Sequence, residues 1–471
     1  MSAQGLRQSR AMMVQAGVHP RFVEVFSHYY QVLESGETGM IAEDELEPIG
    51  ELPRLADLGP APDSVRDALA VTVAIKLNGG LGTSMGMDRA KSLLVARPDG
   101  RTFLDVIAGQ VLALRAQYDV RLPVLFMNSF RTREDTLTAL KPYADLAVEG
   151  LPLDFLQNRE PKLRADDLTP VRWSADPSLE WCPPGHGDLY TALQTSGTLA
   201  ALLHAGYRYA FVSNADNLGA RADPRLAAWF ARLGVPFAAE ACRRTPADRK
   251  GGHLARRRRD GRLVLRESAQ TRPEDTDAFG DVNRHRFFNC NNLWLDLRAL
   301  AATLEQRSGL LGLPLIRNVK SVDPADADSP QVVQIETAMG AAIEVFDDAA
   351  VIEVDRSRFL PVKTTNDLLV LRSDVYQVGD DSQLTLADGR CAAPYVDLAP
   401  PYKLVGDFEA RFPHGPPSLV ACDSLVVHGD WTFGRDVRVV GAAVVGEPDD
   451  GRGAIPDAAV LGDRAGPPSR D

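Results

Sequence analysis

The chain has 471 residues, 45% of them hydrophobic and 25% charged, a composition that indicates a globular protein and excludes a disordered or fibrous one. Its formal net charge of −12 opposes binding to a nucleic-acid duplex or an anionic membrane, and no apolar run approaches the roughly 18 residues of a membrane span. We therefore expect small phosphate-bearing ligands, no nucleic acid and no membrane.

The cysteines and the N-terminus predict a cytoplasmic protein. The five cysteines are Cys182, Cys242, Cys290, Cys391 and Cys422. Their number is odd and their spacing contains neither C-x-x-C nor a zinc-binding pattern, so we expect reduced thiols. Arg7 and Arg10 stand near the start of the chain, but the apolar stretch around them is too broken for a secretory leader.

Residues 1–68 are predicted as a helical extension, clearest in "RFVEVFSHYYQVL", and a Pro-rich acidic linker. Over residues 69–377, strand-type apolar runs alternate with amphipathic helical patterns, one of which covers residues 189–206. This alternation predicts βαβ units and a mostly parallel sheet.

A hairpin interrupts the series, because "HLARRRR" and "RLVLRES" flank Asp260-Gly261, a two-residue turn signal. The sheet should therefore be mixed. Neighbours in the arginine run 256–259 would alternate between the two faces of this hairpin, and no aromatic residues are interleaved with them. We interpret the run as a solvated surface rather than a nucleic-acid site.

Residues 378–446 contain a six-residue repeat. Leu419, Leu425, Trp431, Val437 and Ala443 form one register, and Ala421, Val427, Phe433, Val439 and Val445 form the second. Such a repeat predicts a small β-helix, with a β-meander as the alternative. Its exposed end strands could pair with a second subunit, and residues 447–471 are predicted to be a flexible tail.

The stretch "KLNGGLGTSMGMDRAKS", residues 76–92, fits neither common phosphate loop. The Walker A pattern fails because Ala90 precedes Lys91, and the dinucleotide pattern fails because Met85 stands where its third glycine belongs. What remains is a strand that enters a glycine loop, whose N–H groups can approach a phosphate while Lys91 returns a positive charge. This arrangement suits a nucleoside triphosphate.

The glycine loop is the first of several motifs that stand in one order over roughly residues 70–445. The others are "MNSFRTREDT", "WCPPGHGDLYTAL", "FVSNADNLGA", "KGGHL", "FNCNNLWLDL" and "RSRFLPVKTTNDLLVLRSDVY". Together they resemble the eukaryote-like UDP-glucose pyrophosphorylases, the UTP–glucose-1-phosphate uridylyltransferase family. The sequence departs from the family pattern at Arg89-Ala90, in "QNREPK" and at Cys290.

The resemblance implies an α/β fold of the Rossmann-like nucleotidyltransferase (GT-A-like) type, a mixed sheet flanked by helices, with a left-handed β-helix at the C-terminus. It also implies a reaction in which glucose 1-phosphate attacks the α-phosphorus of UTP and expels pyrophosphate, with Mg²⁺ as cofactor. The alternatives are another sugar 1-phosphate (galactose or N-acetylglucosamine), a non-catalytic nucleotide-sugar binding protein, and a nicotinamide dehydrogenase that rests only on the imperfect dinucleotide pattern.

The same resemblance assigns the site residues. It implies that Lys91 and Lys363 are catalytic, that Asp216 binds the metal and substrate, and that His186 binds sugar phosphate. For the nucleotide it implies Leu77, Asn78, Gly79, Gly80, Lys91, Gln157 (at uracil), Gly185 and Asn214. For the sugar substrate it implies Asn214, Gly252, Glu267, Asn289 and Asn291.

From the residues alone, these roles have simpler alternatives. Asn214 and Asp216 follow a predicted strand, where ligands bind in open α/β sheets, but they would also suit an Asx turn. Lys363 would otherwise be a surface lysine at a helix start, and Gln157 a surface residue at a strand end.

Overall fold

The computed structural model of the chain describes residues 2–36, 39–59, 64–245, 248–324, 326 and 328–462. The α-helices are α1 (Ser2–Gln15), α2 (Pro20–Glu34), α3 (Val65–Ala70), α4 (Phe103–Tyr118), α5 (Arg133–Leu140), α6 (Leu189–Thr195), α7 (Thr198–His204), α8 (Pro224–Leu233), α9 (Thr276–Gly280), α10 (Leu297–Gln306), α11 (Thr365–Arg372) and α12 (Val405–Arg411). No helix in these ranges is long and apolar enough to cross a membrane.

The strands are short except where they cross the central sheet or the C-terminal region. They are β1 (Leu46–Pro48), β2 (Thr72–Asn78), β3 (Val124–Asn128), β4 (Asp154–Leu156), β5 (Glu160–Pro161), β6 (Leu163–Arg164), β7 (Trp181–Cys182), β8 (Tyr209–Asn214), β9 (Phe237–Arg243), β10 (His253–Arg257), β11 (Leu263–Arg266), β12 (Phe287–Asp296), β13 (Ile316–Ser321), β14 (Gln331–Glu336), β15 (Ala350–Glu353), β16 (Tyr376–Val378), β17 (Leu384–Leu386), β18 (Tyr395–Leu398), β19 (Ser418–Val427), β20 (Asp430–Phe433), β21 (Arg438–Val445), β22 (Arg452–Ile455) and β23 (Val460–Gly462).

A ten-stranded mixed sheet forms the centre of the molecule, as the sequence predicts. The expectation that it is mostly parallel is wrong, because five of the nine pairings among its described strands are antiparallel. Strands β8, β2, β3 and β4 are adjacent and parallel, whereas β12 runs antiparallel to β8 and β9. Ile75 of β2 lies opposite Leu125 on one side and Val212 on the other. The β2 side chains are buried on both faces, which explains the nearly continuous apolar run "VTVAIKL".

Helices cover both faces of this sheet. Ala74 and Phe126 pack in one hydrophobic cluster with α4 and α11, whereas Ile75 and Leu125 pack in another with α6, α7 and α10. Helix α4 begins after Thr102 because a capping box closes its first turn: the Asp105 N–H donates to Thr102 Oγ1 (3.2 Å) and the Thr102 N–H donates to Asp105 Oδ2 (2.7 Å).

Two local predictions differ from the structure. The helical pattern over 189–206 is two helices, because Gly197 adopts φ +75° and ends the run between α6 and α7. The hairpin of β10 and β11 is confirmed, but its turn is longer than two residues: the last strand pair is Arg256 with Leu263, and the Gly261 N–H donates to the Arg257 carbonyl (2.8 Å).

The arginine run lies mainly at the surface of this hairpin, as predicted. Arg256, Arg258 and Arg259 are exposed. Arg257 is half-buried and forms ion pairs with Asp260 (2.8 Å) and Glu344 (3.3 Å). Its charge is therefore already compensated within the chain.

The N-terminal segment is part of the folded unit. Phe22 and Phe26 of α2 pack with Val333 and Ile335 of β14 in one hydrophobic cluster. Part of the stretch predicted as a linker is a strand of the central sheet, since β1 pairs antiparallel with β10 at the sheet edge. Residues 60–63 of that stretch lie outside the described residues.

The C-terminal strands stack in parallel. Strands β18, β19, β21 and β23 form one sheet and β20 and β22 form a second, and every pairing within them is parallel. Leu425 pairs with Ala443 and Val427 with Val445, an offset of three six-residue repeats. The side chains of these four residues are buried. Ala421 breaks the predicted register: it is exposed and Cys422 is buried instead, because β19 shifts register between Ser418 and Ser424.

The predicted flexible tail includes ordered strands. Strands β22 and β23 lie beyond residue 446 and pair with β20 and β21 respectively. The remainder of the predicted tail, residues 463–471, lies outside the described residues.

Acid should destabilise the fold through two stacked histidines. The rings of His253 and His285 lie 3.7 Å apart between centroids, and both residues are fully buried. Burial, aided by His285 and Arg244, lowers the pKa of His253 to about 2. An unfolded histidine titrates near pH 6.5, so below about pH 6.5 the unfolded chain binds a proton that the folded chain does not. The free energy of unfolding therefore falls as the pH falls below that value, by up to about 1.4 kcal/mol per pH unit.

Urea denaturation between about pH 7 and 5 tests this prediction. His253→Gln should flatten the dependence of the unfolding free energy on pH. His414→Gln, at an exposed histidine, should leave it unchanged. Equal slopes for the native chain and His253→Gln would contradict the prediction.

Candidate active site

The carboxyl ends of β2, β4 and β8 border a cavity of about 290 Å³. Every residue predicted to bind the nucleotide lines it, together with His186 and Asp216. The lining residues are Leu77, Asn78, Gly79, Gly80, Lys91, Ser92, Met127, Gln157, Pro183, Gly185, His186, Asn214, Ala215 and Asp216. Parallel strands end at one edge of the sheet, which is why residues from distant parts of the sequence meet there.

The glycine loop folds back on itself, which brings Lys91 next to Gly80 at the start of the loop. Gly86 adopts φ +76°, and the Lys91 N–H donates to the Gly80 carbonyl (3.2 Å). The Lys91 ammonium lies 2.7 Å from Asp216 Oδ2, and the two side chains are 17% and 25% exposed. Lys91, predicted to contact phosphate, and Asp216, predicted to bind the metal, are thus in direct contact.

Gly79 and Gln157 are in close contact at the end of the cavity formed by β2 and β4. A Cβ atom on Gly79 would lie 2.7 Å from Gln157 Oε1 and 2.8 Å from Nε2, closer than carbon and polar atoms tolerate. Only glycine therefore leaves the Gln157 amide in place. Gly80 has no atom within 4 Å of the equivalent position.

Gly79→Ala should consequently displace the Gln157 amide and weaken nucleotide binding. If Gln157 pairs with uracil, as the motif resemblance implies, the KM for UTP should rise by about tenfold. In a Gln157→Ala background, the same substitution should have almost no further effect. Steady-state kinetics of the two single variants and the double variant measure this, and equal factors in both backgrounds would contradict the role of the contact.

Asn78 has a structural side chain. Its amide donates to Asn128 Oδ1 (2.9 Å) and to Thr136 Oγ1 (2.9 Å), and only 3% of the residue is exposed. Both amide hydrogens are used inside the fold. Asn78 therefore offers the cavity its backbone rather than its amide hydrogens.

His186 presents a hydrogen-bond donor to the cavity. Its Nδ1 accepts from the Met339 N–H (2.9 Å), and burial lowers the pKa of the imidazole to about 4. The ring is neutral at pH 7, so the remaining proton must be on Nε2. Gly185 approaches the Thr337 backbone so closely that a Cβ would lie 2.6 Å from its carbonyl oxygen. This contact fixes the turn that carries His186.

Asp188 is a residue that the sequence did not indicate. Its carboxylate accepts from the Asn158 N–H (2.6 Å) and from Asn158 Nδ2 (2.8 Å), which secures the loop next to Gln157. Burial raises the pKa of Asp188 to about 7. Its position in "GHGD", directly before α6, carries no signal of this contact in the sequence. Ser92, Met127, Pro183 and Ala215 also line the cavity without having been predicted.

Lys363 lies beside the cavity on the segment that precedes α11. The Val362 N–H donates to the Asp216 carbonyl (3.2 Å). Lys363 is therefore the next residue after one that is hydrogen-bonded to Asp216, the predicted metal ligand. The Lys363 side chain is exposed. Helix α11 begins with a capping box between Thr364 and Asp367, and the Lys363 N–H also donates to Asp367 Oδ2 (2.8 Å).

Four of the residues predicted at the sugar, Gly252, Glu267, Asn289 and Asn291, form two pairs. A Cβ on Gly252 would lie 2.4 Å from Glu267 Oε2, and Asn289 Nδ2 donates to Asn291 Oδ1 (2.8 Å). Asn291 adopts φ +55° where β12 shifts register. Burial raises the pKa of Glu267 and the charge of Lys363 opposes this rise. The two pairs bring together one carboxylate and two amides.

Asp216 is the only carboxylate among the residues that line the cavity. No cluster of three or more histidine, cysteine or acidic side chains suited to a metal occurs in the part of the chain that the structure describes. One carboxylate fits Mg²⁺, which commonly keeps several waters and is bound by one or two carboxylates plus substrate phosphates.

A larger cavity of about 530 Å³ lies outside this site and is lined by six arginines. Five of them are in ion pairs: Arg221 with Asp381, Arg225 with Asp223, Arg243 with Glu353, Arg356 with Asp248 and Arg358 with Glu240. Their charges are compensated within the chain, so the smaller cavity, with Lys91 and the glycine loop, is the candidate for phosphate.

Comparison with known proteins identifies the family. The family described as UTP–glucose-1-phosphate uridylyltransferase matches residues 20–439. The chain belongs to this family. The resemblance seen in the motifs is thereby confirmed, and the chain is a nucleotidyltransferase by family.

Relatives of the uridylyltransferase family are similar over most of their length. The UTP–glucose-1-phosphate uridylyltransferase of Solanum tuberosum is 38% identical over 87% of this chain and 84% of its own. The enzyme of the same name from Saccharomyces cerevisiae is 39% identical over 85% and 78%.

Solved structures have the same fold. UDP-glucose phosphorylase from Trypanosoma brucei superposes with a TM-score of 0.91 at 42% identity, covering 97% of this chain and 98% of that one. A variant of Leishmania major UDP-glucose pyrophosphorylase in complex with UDP-glucose superposes with a TM-score of 0.90 at 42% identity, covering 98% of each chain.

Proposed function

We propose that this chain transfers the uridylyl group of UTP to glucose 1-phosphate, giving UDP-glucose and pyrophosphate. The observation that carries the proposal is the cavity at the strand ends, where a glycine loop, the Lys91–Asp216 pair and the Gln157 amide meet. Membership of the uridylyltransferase family supports both substrates.

The nucleotide would lie along β2 and β4. Uracil presents acceptor, donor and acceptor atoms along its pairing edge, and the Gln157 amide, held against Gly79, matches two of them. Leu77, Gly79 and Gly80 offer backbone to the base and ribose, and Gly185 and Asn214 close the cavity from the opposite side.

The phosphates would lie at Lys91 and Asp216. Bound Mg²⁺ would supply positive charge to the phosphates and to the leaving pyrophosphate, with Asp216 as its protein ligand. Lys91 would leave Asp216 to contact a phosphate oxygen, because both partners gain an opposite charge when substrate binds. The Nε2–H group of His186 would donate to the sugar phosphate. The Nδ1 lone pair already accepts from the Met339 N–H and burial keeps the pKa of the ring low, so His186 would act as a binder rather than a base.

Lys363 would contact the reacting phosphates from the side of the sugar. The charge of Lys363 opposes the rise in the pKa of Glu267, which supports a position for Lys363 near the residues proposed for the hexose, namely Gly252, Glu267, Asn289 and Asn291. A carboxylate and two amides can accept from and donate to sugar hydroxyls. Attack of a phosphate oxygen then proceeds directly, without a covalent intermediate, and depends on positioning and charge.

Pyrophosphate release with UTP, Mg²⁺ and a panel of sugar 1-phosphates tests the proposal. We expect glucose 1-phosphate to give the highest kcat/KM. A preference for galactose or N-acetylglucosamine 1-phosphate would reassign the sugar, and no release with any of them would favour a binding protein. Omission of Mg²⁺ should abolish the reaction.

We further propose that the parallel strands of the C-terminal region form a left-handed β-helix that pairs two copies of a cytoplasmic enzyme. The boundaries would be 1–68 for the extension, 69–377 for the catalytic domain and 378–446 for the β-helix, to which β22 and β23 add the strands up to residue 462. Val444 and Tyr395, at 70% and 60% exposure, are apolar groups available for such contact. Light scattering of the native chain and of Val444→Lys would test the pairing, and a monomeric native chain would refute it.

A further inference from the structure

A carboxylate is buried within β9, directly behind the proposed active site. Glu240 is fully buried and accepts from Arg358 Nε (2.7 Å) and Arg358 Nη2 (2.7 Å). Asn292 Nδ2 (3.0 Å) and Trp294 Nε1 (3.1 Å) donate to the same group. Four donors in a low-dielectric interior define one orientation of this ion pair.

Arg358 connects this pair to the segment that carries Lys363. Its Nη2 also donates to the Arg221 carbonyl (2.9 Å). Its own carbonyl accepts from Asn217 Nδ2 (3.1 Å) and Asn292 Nδ2 (3.3 Å). Side chain and main chain of one residue are therefore both anchored, five positions before Lys363.

The same segment is bonded to the loop that carries Asp216. Asn217 Oδ1 accepts from the Leu360 N–H (2.8 Å), and the Asp216 carbonyl accepts from the Val362 N–H (3.2 Å). A Cβ on Gly219 would lie 2.3 Å from the Ser357 carbonyl oxygen. The two segments are therefore joined at these three points, two hydrogen bonds and one close backbone approach.

The loop that carries Asp216 is in turn fixed at both ends. The buried ammonium of Lys76 donates to Ser213 Oγ (2.8 Å) and to the Ala220 carbonyl (2.6 Å). Residues 213–220 are thus fastened to β2, and the position of Lys363 relative to them depends on the Arg358 segment.

We propose that Arg358, held by Glu240, is a positioning residue that sets the location of Lys363 relative to Asp216. The inference rests on the proposed function and adds a residue with a stated role to it. Arg358 contacts neither substrate in this assignment; it acts through Lys363. Misplacement of a catalytic group by about 1 Å can cost about a hundredfold in rate.

Arg358→Lys tests the proposal, because lysine keeps the charge but cannot bridge both oxygens of Glu240. We expect kcat to fall by about tenfold or more while the KM for UTP stays within about twofold, since the nucleotide cavity is built by other elements. Arg411→Lys is the matched control: Arg411 makes the same two-bond contact with Asp430 (2.8 and 2.7 Å) in the C-terminal region. It should lose stability without losing kcat.

A double-mutant cycle separates positioning from a merely structural role. In a Lys363→Ala background, Arg358→Lys should lower kcat no further, because the group it positions is gone. Equal factors in both backgrounds, or an unchanged kcat in the single variant, would overturn the inference. If Arg358→Lys does not fold, Asn217→Ala, which removes the bonds to Leu360 and Arg358, enters the same cycle with the same expected and contrary outcomes.

Failure of the proposed function and failure of the positioning role of Arg358 would give different experimental results. A native chain that releases no pyrophosphate from UTP with any sugar phosphate would refute the function itself. An active native chain, inactivated by Lys363→Ala but indifferent to Arg358→Lys, would refute only the positioning role.

Discussion

Lys363→Ala is expected to lower kcat for pyrophosphate release by about a hundred- to thousandfold. The exposed ammonium follows Val362, whose N–H is bonded to the Asp216 carbonyl, and its charge opposes the rise in the pKa of the partly buried Glu267. Under the proposed function, a cation at this point stabilises charge that develops on the reacting phosphates, so its loss should appear in kcat more than in the KM for UTP.

The fold should tolerate this substitution. An exposed side chain contributes little packing, so the free energy of unfolding should change by less than about 0.5 kcal/mol in urea denaturation. Lys141→Ala, at an exposed lysine after α5, serves as the control and should retain native kinetics. Native turnover in Lys363→Ala would remove Lys363 from the mechanism.

Asp216→Asn is expected to lower kcat/KM by at least about a hundredfold and to raise the Mg²⁺ concentration required for half-maximal rate. The asparagine preserves shape and the main-chain bond from Val362 but removes the only carboxylate that lines the cavity. It also deprives Lys91 of the partner that lies 2.7 Å away. Both losses affect charge rather than packing.

Titration of the rate with Mg²⁺ distinguishes the metal role from a structural one. A residue that only supports the fold would lower the maximal rate at every Mg²⁺ concentration, without a shift of the half-maximal point. Asp388→Asn, at an exposed carboxylate remote in sequence, should leave the titration unchanged. An unshifted titration in Asp216→Asn would exclude Asp216 as the metal ligand.

The sequence by itself determined many of the local elements and, through the motif resemblance, most of the residues that line the candidate cavity. Helix α4 follows from an apolar pattern and a capping box within four residues, and the loop 79–92 follows from the spacing of its glycines. The motif resemblance placed Gln157, His186 and Asp216 in one site, and they line one cavity. Hydrophobic periodicity and helix capping depend on residues that are close in sequence, so a short segment is enough to reveal them.

Only the tertiary structure decided which distant polar groups pair. Lys91 and Asp216 are separated by 125 residues and Glu240 and Arg358 by 118, yet each pair is in direct contact. Tertiary context also set the register shift that exposes Ala421 and buries Cys422. A buried charge is stable only beside a partner of matching geometry, and that partner is chosen by how sheets and loops pack, which no local pattern encodes.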